Sequence, residues 1–311
     1  MDRRDFLKWQ AGGLAWLSAG AAMGGHSLAR AQSAGDNTPR PDVAIAKGAP
    51  GPATRAAVDL LGGMGRFVKP GQKVVIKPNM SFAKGPETAT NTHPEVVREL
   101  VLMVKESGAS QVLVLDHSLH NPDDALRLSG ILNACEEVAP GICHHLMDER
   151  FYAEAAFPLG NDMRENKVMR DVLEADVLIA APVAKSHGAA GVSLSLKGQM
   201  GLIWDRSSMH SLYGLSTAIV DMCTLLRPHL AVIDATRVLS SRGPGGPGLV
   251  LTPGEVIASA DPVAADATAV ASYDWYSRRV KPGSVGHIIE AHNRGLGRMD
   301  IENMVTQRVT V

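Results

Sequence analysis

The chain has 311 residues, 45% hydrophobic and 20% charged, a balance that supports a sizeable globular core. Lys and Arg number 31 against 32 Asp and Glu, so no basic surplus points to nucleic acid and no polybasic run points to anionic lipid. The three cysteines, Cys135, Cys143 and Cys223, form no CxxC pair, which argues against a zinc ribbon, and no iron–sulfur cluster is expected within the chain.

The N-terminus reads as a targeting segment. Arg3-Arg4-Asp5-Phe6-Leu7-Lys8 is a twin-arginine motif, followed by a mildly apolar region, Ala11–Met23. Ala29-Arg30-Ala31 has the small-x-small pattern of a signal cleavage site. The expected organisation is therefore a signal peptide over 1–31, a polar linker over 32–42 and a single α/β domain over 43–311. The apolar part is short for a span of roughly 20 residues, so no stable membrane span is expected after cleavage. The expected partner in export is the twin-arginine machinery, and the expected location is the periplasm.

In chain order, Val43–Ala46 reads as a short strand and Thr54–Val68 as a helix interrupted by Gly62-Gly63. Lys73–Ile76 is a buried-type strand, and Pro94–Ser107 is a helix with Val97, Leu100, Val101 and Val104 on one face. Gln111–Leu115 is a strand, Asp123–Cys135 a helix and Cys143–Met147 a short strand. The mixed, charged segment 148–167 gives no periodic signal. Val168–Ala175 reads as a helix leading into the strand Val177–Ala181. A second apolar alternation, Val192–Leu196, runs into Lys197. Then come the helix Leu212–Leu226, the strands Leu230–Ile233 and Glu255–Ala258, a helix from Asp261-Pro262 to about Tyr273, and a last helix, Gly286–Arg294. Continuous apolar strands alternating with amphipathic helices predict an α/β fold: a mostly parallel sheet with helices on both faces.

Four strand candidates run out into chemically capable residues. These are Lys77 and Asn79; Asp116 and His117; Lys185 and His187; and Asp234 and Arg237. In an open parallel sheet, ligands bind beyond the carboxyl ends of the strands, so these groups are expected on one rim. Each one alone is equally a solvated loop residue. Lys77, Lys185 and Lys197, with Asn79, are the candidate holders of an anionic small molecule. His187 and His210, with Asp116, are the candidates for acid–base work. The cofactor is unidentified; Asp234 and Asp266 are the candidate ligands for a divalent metal. Asp261 reads as a helix N-cap before Pro262. The run Gly243-Pro244-Gly245-Gly246-Pro247-Gly248 fits G-x-G-x-x-G, but it opens no helix, so a dinucleotide site is rejected. Gly243 and Gly245 remain candidates for a backbone anion nest.

These residues also carry a family resemblance. Val75-Ile76-Lys77-Pro78-Asn79, Asp116, Pro182-Val183-Ala184-Lys185-Ser186-His187, Ser193 through Gly201, His210, Asp234, Gly243-Pro244 and Asp261 through Asp266 together resemble the DUF362 domain family. The likeness runs from about Val43 to Asp274. Ser186 and Gly198 stand where the family pattern has Thr and Asn. The resemblance implies a shared site but no settled reaction. Family members with an appended ferredoxin-type segment look like iron–sulfur proteins, and this chain has no such cysteine set. The expected function is binding of an anionic small molecule or cofactor at the strand ends, with or without turnover. The alternatives are a periplasmic accessory protein and a partner of an iron–sulfur redox protein.

Overall fold

The computed structural model describes residues 40–311; the signal-peptide expectation over 1–31, and all but the end of the linker expectation over 32–42, lie outside the described residues. The strands are β1 Val43–Lys47, β2 Lys73–Pro78, β3 Gln111–Asp116, β4 Cys143–His145, β5 Tyr152–Ala156, β6 Glu165–Met169, β7 Val177–Ala181, β8 Val183–His187, β9 Gly191–Ser193, β10 Leu230–Leu239, β11 Val250–Leu251, β12 Glu255–Ser259, β13 Asp274–Trp275, β14 Arg278–Arg279 and β15 Thr306–Thr310. The helices are α1 Pro50–Leu60, α2 Pro94–Glu106, α3 Pro122–Ser129, α4 Ile131–Glu136, α5 Arg170–Leu173, α6 Ser195–Gly198, α7 Ser207–Ser211, α8 Leu215–Cys223, α9 Pro262–Ser272 and α10 Gly286–Asn293.

The central sheet runs in the order β15-β1-β12-β10-β7-β2-β3-β4. Strands β10, β7, β2, β3 and β4 pair in parallel, and β12 is antiparallel to both of its neighbours. Alternation along each strand sends side chains to two separate apolar layers. Val74 and Ile76 of β2, with Leu230 and Val232 of β10, pack with Val97, Leu100 and Ile131 from α2 and α4. Val75, Ala231 and Ile233 face the other way, toward Ile219 of α8, Val270 of α9 and Ile288 of α10. The fold is thus the expected α/β arrangement: a mostly parallel sheet covered on both faces.

Several boundaries differ from the sequence reading, each for a local reason. The helix placed over Thr54–Val68 begins at Pro50, because proline suits a first turn, and ends before Gly62-Gly63. The helix placed over Asp123–Cys135 is two helices, broken at Gly130, whose φ of 75° lies in the left-handed region. The uninterpreted segment 148–167 contains β5 and most of β6, which form an antiparallel hairpin. Most consequential, β10 continues to Leu239, so Asp234 and Arg237 lie inside a strand and not at its end. The apolar alternation at 192–196 is a three-residue strand followed by the short helix α6, which carries Lys197.

The cysteines Cys135, Cys143 and Cys223 are buried free thiols. Among the described residues, no helix is long and apolar enough to cross a membrane.

Candidate functional site

The carboxyl ends of β2 and β3, strand β8 and helices α6 and α7 border a cavity of about 570 Å³. Lys77, Asn79, Asp116, Lys185, His187, Lys197 and His210 all line it. Seven of the eleven candidate residues therefore share one space. Sequence reasoning missed Arg206, Ser81, Phe82, Ser193 and Trp204, which also line it. Arg206 sits in a connection after Trp204, where no strand-end rule applies, so no pattern in the sequence marks it.

Lys77 and Asp116 make the floor. Lys77 Nζ lies 3.0 Å from Asp116 Oδ1 and donates to the Pro78 carbonyl at 2.7 Å. Asp116 also accepts from the Met80 and His117 backbone N–H groups and from Ser81 Oγ. Burial pushes the Asp116 pKa up, but Lys77, His145 and the Met80 N–H outweigh it and hold the carboxyl below its ordinary range. A carboxylate so fully engaged is an anchor for the strand ends, not a proton acceptor.

Gly201 lets this floor close. A Cβ there would fall 2.0 Å from Asp116 Oδ1 and 2.7 Å from Lys77 Cε. Gly243 makes a comparable close approach to β8: its N–H donates to Ser186 Oγ at 2.9 Å, and a Cβ would meet the Ser186 carbonyl oxygen at 1.9 Å. The hydroxyl of Ser186 thus holds the glycine loop against the site, and Pro244 of that loop lines the cavity. The structure corrects the nest expectation. Gly243 binds Ser186 with its N–H, and Gly245 borders a separate surface cavity, where its carbonyl accepts from Lys84.

The two remaining lysines are held differently. Lys185 is buried, donates to the Thr90 carbonyl at 2.6 Å and lies 5.1 Å from the centre of the Phe82 ring. Burial, then the positive charges of Lys77 and Lys197, push its pKa well below the ordinary lysine value. Lys197 is half-buried on α6. Burial, then Lys77 and Arg206, bring its pKa down to about 8. Arg206 donates to the carbonyls of His117 and Ser118 at 3.2 and 3.4 Å.

Among the described residues two carboxylates line the cavity, Asp116 and Asp205. Asp116 is paired with Lys77, and Asp205 accepts from Ser207 Oγ and the Ser208 N–H at the start of α7. Lys185, Lys197 and Arg206 therefore have no carboxylate partner among the described residues.

The other polar groups add donors. The Asn79 side-chain oxygen accepts from the Val183 N–H at 3.2 Å, which commits that end of the amide and leaves its NH2 as the free end. His187 Nδ1 accepts from the Ala190 N–H at 3.2 Å, which puts the imidazole proton on Nε2. Burial, then Lys197, His210 and Lys185, bring the His187 pKa down to about 3, so the ring is neutral and an N–H donor at physiological pH. The acid–base expectation for His187 is thereby corrected: its lone pair is engaged by the backbone. His210 is exposed and stacks on His187 with ring centres 6.1 Å apart.

The two aspartates expected to hold a metal, Asp234 and Asp266, are both engaged by the chain itself. Asp234 accepts from the His93 N–H, from the Thr236 N–H and hydroxyl, and from Arg237 at 2.6 Å. Asp266 accepts from the Ser195 and Leu196 N–H groups at 2.8 and 3.0 Å. Neither lines the cavity, and both carboxylates hold backbone in place. Among the described residues no group of three or more His, Cys, Asp or Glu side chains is arranged to hold a metal ion. The donor set at the cavity, rich in N–H and poor in free carboxylate, suits an anion.

Comparison with known proteins agrees with the resemblance. Residues 74–271 match the family model described as "Domain of unknown function (DUF362)". Over 197 residues the chain is 24% identical to the "Thylakoid-associated protein sll1697" of Synechocystis sp., covering 61% of this chain and 60% of that protein. The chain thus spans about three fifths of that relative's length. Among solved structures it is similar to the lactate racemase apoprotein of Thermoanaerobacterium thermosaccharolyticum, with a TM-score of 0.40 and 13% identity over 62% of this chain and 51% of that one. It is similar as well to a Thermotoga maritima protein, with a TM-score of 0.37 and 14% identity over 60% and 51% of the two chains.

Proposed function

The chain belongs to the DUF362 family, and from that premise we propose that it is an enzyme acting on a small anion bound in the cavity at the strand ends. One observation carries the reading: Lys185, Lys197 and Arg206 face the same cavity with no carboxylate in ion-pair contact among the described residues. Burying a cation without an opposite charge is costly, and a bound carboxylate or phosphate offsets that cost by restoring the missing charge. The depressed pKa values of Lys185 and Lys197 are the same imbalance seen from the protonation side.

The residues divide by role. Lys185 and Arg206 hold the anion, with the Asn79 NH2 and the His187 Nε2–H as directional donors. Lys77 and Asp116 fix the floor. His210, at the exposed edge, is the ring free to exchange protons with solvent. Turnover is supported by a titratable amine and an exposed imidazole beside an anion cradle, a combination that simple capture does not need.

Export belongs to the same proposal. The twin-arginine pair Arg3-Arg4 and the Ala29-Arg30-Ala31 site support delivery of the folded chain to the periplasm. Recovery of the mature protein in the periplasmic fraction, with an N-terminus near Gln32, is the expected result. A cytoplasmic, uncleaved chain contradicts it.

The binding claim is tested by thermal shift with matched pairs of ligands: malonate against malonamide, and inorganic phosphate against glycerol. The charged member of a pair raises Tm and the neutral one does not. Equal shifts from both members contradict the reading.

A further inference from the structure

The cavity holds three lysine amines, and the structure distinguishes one of them. Lys77 Nζ is committed to Asp116 and to the Pro78 carbonyl. Lys185 Nζ is committed to the Thr90 carbonyl beneath the Phe82 ring. Lys197 has neither a carboxylate nor a hydrogen-bond acceptor among the described residues, and it opens onto the cavity. Its backbone is nevertheless fixed: Asp266 takes the Ser195 and Leu196 N–H groups at the start of α6, and the Gly198 N–H donates to the Leu194 carbonyl at 2.8 Å. The neighbouring Gly198 also lines the cavity, and a Cβ there would meet only Pro182 Cβ, at 3.8 Å. A reactive amine needs these conditions: a rigid base, a free lone pair, neighbouring cations and room for a substrate.

We propose that Lys197 forms an imine with an aldehyde or ketone on the anionic substrate. This rests on the anion-binding reading above and adds a carbonyl to the substrate class. Lys185 and Arg206 hold the carboxylate or phosphate, which places the carbonyl carbon against Lys197 Nζ. The neutral amine donates its lone pair to that carbon, and the C=O π pair moves to oxygen. One ammonium proton passes to the oxygen to give the carbinolamine. The hydroxyl takes a proton from solvent and leaves as water, and the nitrogen lone pair closes the C=N bond. The sum is amine plus carbonyl plus one proton giving iminium plus water, with no change in oxidation state.

The protonation state suits the step. With a pKa brought down to about 8, roughly a tenth of Lys197 is neutral at pH 7, against under about one in a thousand for an ordinary lysine. The anion itself raises that pKa on binding, so a charged group close to the carbonyl draws the step toward higher pH.

The test is reductive trapping on the full chain. The protein is incubated with glyoxylate and cyanoborohydride, and intact mass and peptide mapping locate the secondary amine. The expected result is one adduct on Lys197, formed faster as pH rises through about 8. It is lost in Lys197→Arg, which keeps the charge, and suppressed by excess malonate, which has no aldehyde or ketone to condense with an amine. Equal modification of many lysines, or an undiminished adduct in Lys197→Arg, overturns the proposal. If malonate shifts Tm but glyoxylate leaves no adduct on Lys197, the imine is wrong and the anion site stands. If malonate and phosphate both fail to bind, both readings fall.

Discussion

Lys77 Nζ lies 3.0 Å from Asp116 Oδ1 between the parallel strands β2 and β3, with both side chains at most 3% exposed. Breaking a buried pair by removing one partner costs about 3–5 kcal/mol, because the other charge stays behind in the interior. Asp116→Asn is expected to lose stability on that scale in urea unfolding. Adding Lys77→Met is expected to recover more than half of the loss. A double variant no more stable than the single one would show that the pair does not hold the strand ends together.

Lys185 gives the opposite sign. Its folded pKa lies well below the unfolded value, because burial and then the neighbouring lysines oppose its charge. At neutral pH the charged form therefore works against folding. Lys185→Met, close in volume, is expected to raise stability by about 1–2 kcal/mol while weakening oxyanion binding at least about tenfold. Calorimetric unfolding and anion titration read the two effects separately. Lower stability together with unchanged affinity would remove Lys185 from the site.

Two glycines three residues apart should respond differently. Gly201→Ala puts a Cβ 2.0 Å from Asp116 Oδ1, against an anchored carboxylate that has little freedom to move. The expected loss is about 1–3 kcal/mol, with the Lys77–Asp116 floor displaced. At Gly198 a Cβ meets only Pro182 at 3.8 Å, so Ala is expected to be tolerated. Comparable unfolding midpoints for the two variants would contradict this packing.

Much of this site was legible in the sequence because parallel-sheet physics places ligands at strand carboxyl ends. Lys77 and Asp116 are visible for that reason, and Lys185 because it follows the Val177–Ala181 run. Asp234 and Arg237 misled the same rule. Their strand continues for five residues beyond Asp234, since Asp234, Thr236 and Arg237 satisfy one another inside the sheet. Period-2 patterning has no way to mark a buried polar cluster of that kind as strand interior. Lys197 is visible in the sequence but its element is not: the alternation Val192–Leu196 matches a strand, while the Asp266 carboxylate winds Ser195–Gly198 into a helical turn from 70 residues away. Arg206 joins the cavity only through the tertiary fold, which no local pattern records.

A buried histidine sets an acid limit. His287 is fully buried, and neither ring nitrogen has a hydrogen-bond partner among the described residues. Burial, then Lys197, bring its pKa down to about 3. The unfolded chain therefore takes up a proton near its ordinary pKa of about 6.5 while the folded chain does not, and stability falls as pH drops from there toward about 3. At pH 5 this one group accounts for about 2 kcal/mol of the loss. His287→Leu is expected to flatten the acid limb of a stability–pH profile by that amount. A variant profile parallel to wild type would show that the imidazole is already protonated in the fold.

A bound anion would complete a cavity whose lysines and arginine outnumber its carboxylates, and proton uptake on binding measures that directly. Lys197 is about half protonated at pH 8, and a bound anion favours its charged form. Titration of the full chain with inorganic phosphate at pH 8, in buffers of different ionisation enthalpy, is expected to show saturable binding with net proton uptake, of which Lys197 supplies up to about half a proton. Lys197→Arg, always charged, should bind phosphate with the uptake reduced by that share. Saturable binding without proton uptake in wild type, or no binding at all, would contradict the central claim.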